Sequence, residues 1–349
     1  MARTDRGLDT PPEAAAQSCA ANARPPPAQS GPVGGERSIF QRAWWLDAVT
    51  DGRWREITVG GSADCRAWLP IYEIQRRGRR VIGMPPLTHT LGPVFVLPAG
   101  KPTSQMAQRR KLLRALLDSL PPHDEFINIL DQNIGDAYAF ITCGFEVSLS
   151  YTSQIDAELD ATNCWKNMTD KARNVIRRGQ DKFSVDHDLD ISTFVEFYER
   201  NLRGRHLANW SDPTVYFRLY EAARPRDAVQ LLAVRTPAGA LAAASLLVRD
   251  EQRMYYLQST RDPQSSDNTA VPCLVWEAIK LSRDARVAFD LDGFPNLRSA
   301  YFINAFGGRP TPRFTVLFRS RKARLIEGAK QLLAAVRTSR GQHSGGLPS

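Results

Sequence analysis

Between residues 38 and 337 the apolar pattern changes period twice in closely similar order: strand-like alternation, an amphipathic helix, a strand, a further turn or helix, a last strand. That double run confines the chain to an α/β (α+β) architecture of two lobes, each a mixed, mostly antiparallel sheet with helical cover. In the first lobe, Phe40, Trp44, Trp45, Leu46 and Val49 recur at helical spacing before the turn Asp51-Gly52. Strands are expected over 54–59, 66–75 and 79–84, then the loop 85–93, and a helix on which Leu112, Leu113, Leu116, Leu117 and Leu120 share a face. A strand over 126–130, a helix over 136–142 and a strand over 145–155 complete it. The second lobe opens with helices near 165–183, 192–202 and 212–223. Strands follow over 229–235, 241–249 and 253–260, then a helix over 269–286, a strand over 287–292, an irregular segment, a strand over 311–319 and a closing helix to 336. No internal repeat shows at the level of single residues, so the kinship of the lobes rests on element order.

The margins differ in kind. Residues 1–37 are rich in Ala, Pro, Gly and Arg with almost no large apolar side chain, which predicts a disordered leader; 338–349 read as a disordered tail. The expected lobes are therefore 38–155 and 156–337. No hydrophobic run reaches the length of a membrane span and no signal-like apolar stretch opens the chain, so the expected compartment is the cytoplasm. The five cysteines are far apart without metal-ligand spacing, which argues against a zinc site or a disulfide framework. A net charge of +9, mostly from arginine, favours anionic partners without choosing among them, and an arginine-rich codon bias explains it equally well.

Four segments carry polar chemistry. Lys166, Lys171, Arg173, Arg177, Arg178 and Lys182 form cationic stripes on one helix, able to meet phosphates or simply to be solvated. The unit 254–286 runs strand, loop, helix, and a helix N-terminus beside a sheet's carboxyl edge is a ready anion site. The lack of glycine in its loop and the presence of Asp267 weigh against a phosphate there, and Asp267 or Asn268 as a plain cap is the rival reading. In 288–293, alternation puts Asp290 and Asp292 on one strand face, where carboxylates can hold or deprotonate an amine, or cap and pair with Arg298 or Arg313. The fourth is the aromatic stretch 301–308, containing Tyr301, Phe302 and Phe306.

In this order, Trp165, Arg173, Ile176-Arg177-Arg178, Tyr255-Tyr256, Trp276-Glu277-Ala278-Ile279, Phe289 to Gly293 and Phe302 to Gly307 resemble the FemAB-like branch of the GNAT acyltransferase superfamily, in its CelD-like, exopolysaccharide-associated group. Phe40-Gln41, Trp45-Leu46, Leu69-Pro70, Pro85-Pro86-Leu87, Gly92-Pro93 and Gly144-Phe145 are similar to that branch's amino half. The resemblance spans about residues 38–320. It implies two tandem GNAT-like domains in a bacterial enzyme, an acceptor between them, and N-acyl transfer to an amine of a sugar, amino acid or peptide. The implied co-substrate is acyl-CoA, with no tightly bound cofactor, no metal and no DNA partner. Under it, Asp292 orients or deprotonates the acceptor, and Tyr256 or Tyr301 stands near the leaving group. Arg261, Asn268, Thr269 and Ala270 take the donor phosphates; Arg173, Arg177, Asp290 and Asn304 bind substrate. Ile303 stands where tRNA-using members carry a lysine, which ranks aminoacyl-tRNA below acyl-CoA as donor. A cell-wall-type aminoacyl-tRNA-dependent peptidyltransferase, a non-catalytic GNAT-fold binding protein and an RNA-binding module are the alternatives.

Overall fold

The computed structural model describes residues 33–135, 137–207, 211–293 and 296–325. In chain order the first half contains β1 (Val33–Gly34), α1 (Ala43–Thr50), β2 (Arg55–Ser62), β3 (Cys65–Arg76), β4 (Arg79–Gly83) and β5 (Val94–Leu97). It continues with α2 (Pro102–Asp118), β6 (Glu125–Ile129), α3 (Tyr138–Thr142) and β7 (Glu146–Ile155). The second half contains α4 (Ala161–Asn167), α5 (Asp170–Gln180), β8 (Ser184–Asp186), α6 (Ile191–Gly204), α7 (Thr214–Ala223), β9 (Val229–Arg235), β10 (Leu241–Arg249) and β11 (Arg253–Arg261). It ends with α8 (Ala270–Asp284), β12 (Ala288–Gly293), α9 (Leu297–Asn304) and β13 (Arg309–Arg319).

These strands form one sheet in the order β1-β5-β3-β4-β6-β13-β7-β12-β11-β10-β9-β8, with β2 on β3. The duplicated order expected from the sequence is present in space. In each half an antiparallel run feeds a short parallel pair across a helix, β4 with β6 and β11 with β12; a helix and a long strand follow. The last strands are exchanged. β13, from the second half, pairs with β6, while β7, from the first, pairs with β12, and the two lie antiparallel to each other over nine registers. A cut after residue 155 therefore divides the chain but not the sheet.

Alternation along β7 sorts the packing. Val147 and Ile155 turn to the helix-covered side, where Leu112, Leu113 and Phe140 from α2 and α3 build one core and Ile176, Cys273 and Trp276 from α5 and α8 another. Thr152 and Gln154 turn the other way. A third core fills that opposite side of the second half: Phe194, Phe197, Tyr216 and Leu219 of α6 and α7 pack with Phe40, Trp45, Leu46 and Val49 of the first half. The α1–α7 contact is fixed further by Arg218 Nε donating to the Ala48 carbonyl at 2.9 Å.

Several boundaries differ from the sequence reading. Residues 33–37, placed in the expected leader, belong to the fold: β1 pairs with β5, and Arg37 binds Glu56 at 2.7 Å. The helix expected over 165–183 is two helices, because Met168 is extended and Thr169 caps α5 by accepting from Ala172 N at 3.2 Å. The irregular segment before β13 holds α9, capped by Asn296 through Ser299 N at 3.0 Å. The leader up to residue 32, the closing helix beyond residue 325 and the tail lie outside the described residues.

Candidate active site

The parallel pair β11/β12 is joined over three registers only, from Arg253–Ala288 to Tyr255–Asp290, and both strands then continue unpaired with each other. The parted strands open beside the exchanged β7 and β13. At this point side chains from both halves converge.

Asp290 anchors the group. It is fully buried, and its carboxylate accepts from Arg313 Nη2 at 3.0 and 3.1 Å, Gln154 Nε2 at 2.8 Å, Gln132 Nε2 at 3.3 Å, Thr152 Oγ1 and the amide of Asp292 at 2.8 Å. A carboxylate with this many donors and no exposed surface has nothing left for a substrate. The substrate-binding role expected for Asp290 is thus corrected; the Arg313 pairing, its rival reading, is what the chain adopts.

Asp292 is different. Its φ is +69°, yet it keeps the face expected from alternation, since Arg313 meets both aspartates while Phe289 and Leu291 turn to the α5/α8 core; its side chain is 42% exposed. Arg313 Nη1 donates to it at 2.8 Å, and His89 Nδ1 approaches it to 3.5 Å. Burial pushes its carboxyl up, but His89 and then Arg313 outweigh that and hold it below the ordinary aspartate value. Arg313 is in turn raised, burial being outweighed by Asp290 and Asp292. The group has two buried polar atoms without a hydrogen-bond partner, His89 Nδ1 and Arg313 Nε.

His89 is the member that sequence reading missed. It sits mid-way along the loop 85–93, already noted for its prolines and glycine, but nothing local marks it, since its neighbours Asp292 and Arg313 are over 200 residues away.

The other expected residues divide. Tyr256 occupies the first position of β11 beyond the parallel registers; its hydroxyl is buried without a partner, and burial pushes it up to about 12. Tyr301 is 70% exposed on α9, whose buried Ile303 packs into the α5/α8 core, so the geometry does not bring Tyr301 to the cluster. Asn304 ends the same helix, exposed. Arg173 is consumed locally: its guanidinium donates to the carbonyls of Trp165, Lys166 and Met168, closing α4, and pairs with Asp170. Its expected substrate role is corrected on that ground. Arg177 is exposed and stacks over Trp165 at 5.3 Å.

At the start of α8, Asp267 has taken the place expected for a donor phosphate. It accepts from Thr269 N at 2.7 Å and Thr269 Oγ1 at 2.6 Å, and Lys182 pairs with it at 2.7 Å. Lys182 first and Thr269 second hold its carboxyl down at about 2. Thr269 and Ala270 are buried, Pro272 supplies no amide, and α5 presses on this end, with Gly179 against the Thr269 carbonyl. Thr269 and Ala270 are therefore corrected as phosphate ligands, whereas Arg261 and Asn268 remain exposed in the preceding loop.

Residues 163–293, the segment containing α5, the parted strands and both aspartates, match the family model for the acetyltransferase (GNAT) domain. The match to that family falls within the second half. Solved structures extend the likeness across both halves. FemX shares 12% identity, with 82% of this chain and 93% of that one covered, at a TM-score of 0.57. The C-terminal domain of a putative lysylphosphatidylglycerol synthetase from Agrobacterium fabrum shares 12% identity, with coverages of 84% and 93% and a TM-score of 0.53. At such identities the likeness is one of fold. No curated protein matches the chain. The family model thus marks a GNAT-like segment at 163–293, and the solved structures show that the fold of both halves together is one that FemX also has. Among the described residues, no helix is long and apolar enough to cross a membrane, and no His, Cys, Asp or Glu group is arranged to hold a metal.

Proposed function

We propose that the protein is an N-acyltransferase that moves an acyl group from acyl-CoA to an amine of a sugar, amino-acid or peptide acceptor held between the halves. One observation carries the reading: within the GNAT segment β11 and β12 part beyond Tyr255–Asp290, and a half-exposed carboxylate, Asp292, stands at the opening. Transfer requires an amine held as its free base, a carbonyl open to attack, and a proton for the leaving group. Asp292, kept ionised by His89 and Arg313, attracts and orients the amine. Tyr256, which keeps its proton at neutral pH, donates a hydrogen bond towards the departing atom from the mouth of the parted strands. Arg261, Asn268 and Arg177 are exposed to meet the anionic part of the donor.

A second reading is favoured by Asp267. With that carboxylate at the N-terminus of α8, the Thr269 amide is taken and a negative charge stands where a pyrophosphate would approach, which suits an aminoacyl ester carried on tRNA, met by Arg177, Arg178 and Lys171 of α5. Calorimetry on the full chain separates the two. Saturable one-to-one binding of acetyl-CoA or a longer acyl-CoA supports the thioester donor. Silence across that series, with amide formed from a charged tRNA, moves the donor to the ester.

A further inference from the structure

We infer that His89 is the proton acceptor of the transfer and that Asp292 acts through it as its positioning carboxylate; the inference deepens, and rests on, the acyl-transfer reading. The loop 85–93 holds His89 with unusual firmness for a loop. Thr88 Oγ1 accepts from Trp45 Nε1 at 3.0 Å, and Thr90 Oγ1 donates to Asp131 Oδ2 at 3.0 Å. Leu91 exchanges backbone hydrogen bonds with Ile129 and Asp131 at 2.7 and 2.9 Å, and Gln41 Nε2 donates to the Gly92 carbonyl at 3.0 Å. Gly92 itself has φ +104°, and an added Cβ would meet Leu130 at 2.9 Å, so the loop has little room to shift. The imidazole lies against the Phe40 ring at 5.4 Å.

Within this frame every neighbour of His89 spends its polar groups on structure, and His89 does not. Its Nδ1 is buried, turned to Asp292 at 3.5 Å, and without a hydrogen bond. Catalytic pairs are often this long before substrate binds and tighten afterwards. Nδ1 facing a carboxylate fixes the tautomer with the proton on Nδ1, which leaves Nε2 as the basic nitrogen. Asp292 is a poor base for the same reason that it is a good anchor, since the Arg313 guanidinium on it favours the ionised form. The charged and titratable groups around the ring are Asp292, with Asp290 behind it, from β12; Arg313 from β13; and Tyr255 from β11, with Arg253 on its hydroxyl.

The step balances as follows. The acceptor nitrogen forms a bond to the acyl carbon, the carbonyl re-forms, and the bond from that carbon to the thioester sulfur breaks. The proton shed by nitrogen passes to His89 Nε2 and from there to the sulfur, so that amine and thioester become amide and thiol.

The test uses the full chain and two independent readouts. Long-range nitrogen–proton correlation of the five histidines, with His89 assigned by H89Q, is expected to show the Nδ1–H tautomer, lost or mixed in D292N. A pure Nε2–H form unaffected by D292N overturns the inference whether or not turnover is found. In acyl-transfer assays, H89Q is expected to lower turnover by about 10²- to 10⁴-fold. It should also erase the acid limb of the pH–rate profile, with acyl-CoA affinity unchanged. Turnover by H89Q with that limb intact overturns the inference, whereas the Nδ1–H tautomer in a protein that transfers no acyl group from any donor sinks the broader reading and leaves the pair standing.

Discussion

Two aspartates two residues apart lead different lives because one strand position is sealed and the next is not. Asp290 is enclosed by Arg313, Gln154, Gln132 and Thr152, so its charge is neutralised inside the fold. Removing a partner from a buried ion pair strands the other charge, which costs about 3–5 kcal/mol. Arg313→Ala is therefore expected to lower the unfolding free energy by that order in urea melts; a change below about 1 kcal/mol would contradict the buried pairing. Asp267 permits a pH prediction. Its folded carboxyl lies at about 2, below the ordinary 3.8, so its contribution is present above the ordinary value and is lost as pH falls towards the folded one. Asp267→Asn should flatten the fall of stability between about pH 4 and 2 relative to the parent, measured by denaturant melts across that range. The single residues show where sequence reading stops. Arg313 was visible as a partner for Asp290 or Asp292, and alternation put both on its side, but nothing local showed that it would bind both at once. His89 could not be singled out, because its significance is its distance from a carboxylate on another half of the chain.

At the scale of elements, the helix α5 depends on close approach to α8. A Cβ on Gly179 would lie 2.8 Å from the Thr269 carbonyl oxygen and 3.1 Å from Cys273 Cβ, so the helices must move apart to admit it. Gly179→Ala is expected to cost about 1–3 kcal/mol, as overpacking does, and to lower the thermal midpoint by several degrees; an unchanged midpoint would show that the two helices slide freely. Most elements were legible because their periods are strong: the leucine face of α2, the strands β9 to β11 and the run into α8. The break between α4 and α5 was also written in Thr169, a good cap, but a continuous apolar stripe from Trp165 to Phe183 concealed it. The short strands β5 and β8 were not legible, since four and three residues carry too little pattern to separate them from loop. Arg173 shows the same limit in another form: a cationic stripe looks like a ligand surface until a helix end claims one of its guanidiniums.

At the scale of the molecule, the exchanged strands β7 and β13 make the halves interdependent. Each half lacks the strand that closes its sheet unless the other is present, and the core under α6 and α7 is completed by Phe40 and Trp45 from the first half. Urea unfolding followed by circular dichroism and by tryptophan fluorescence should coincide in one transition, and residues 33–160 produced alone should not fold; two separated transitions would contradict the interlock. The kinship of the halves was readable from element order, whereas the exchange was not, because pairing partners across the sheet leave no mark in local periodicity. The exchange is also what brings His89, Asp292 and Arg313 to one place, so fold and proposed chemistry stand together. The most direct measurement is product analysis with the purified full chain, an acyl-CoA series and a panel of sugar, amino-acid and peptide amines. The account predicts one amide formed for each thiol released, and a loss of both in D292N; failure to form amide from any thioester or aminoacyl ester would contradict it.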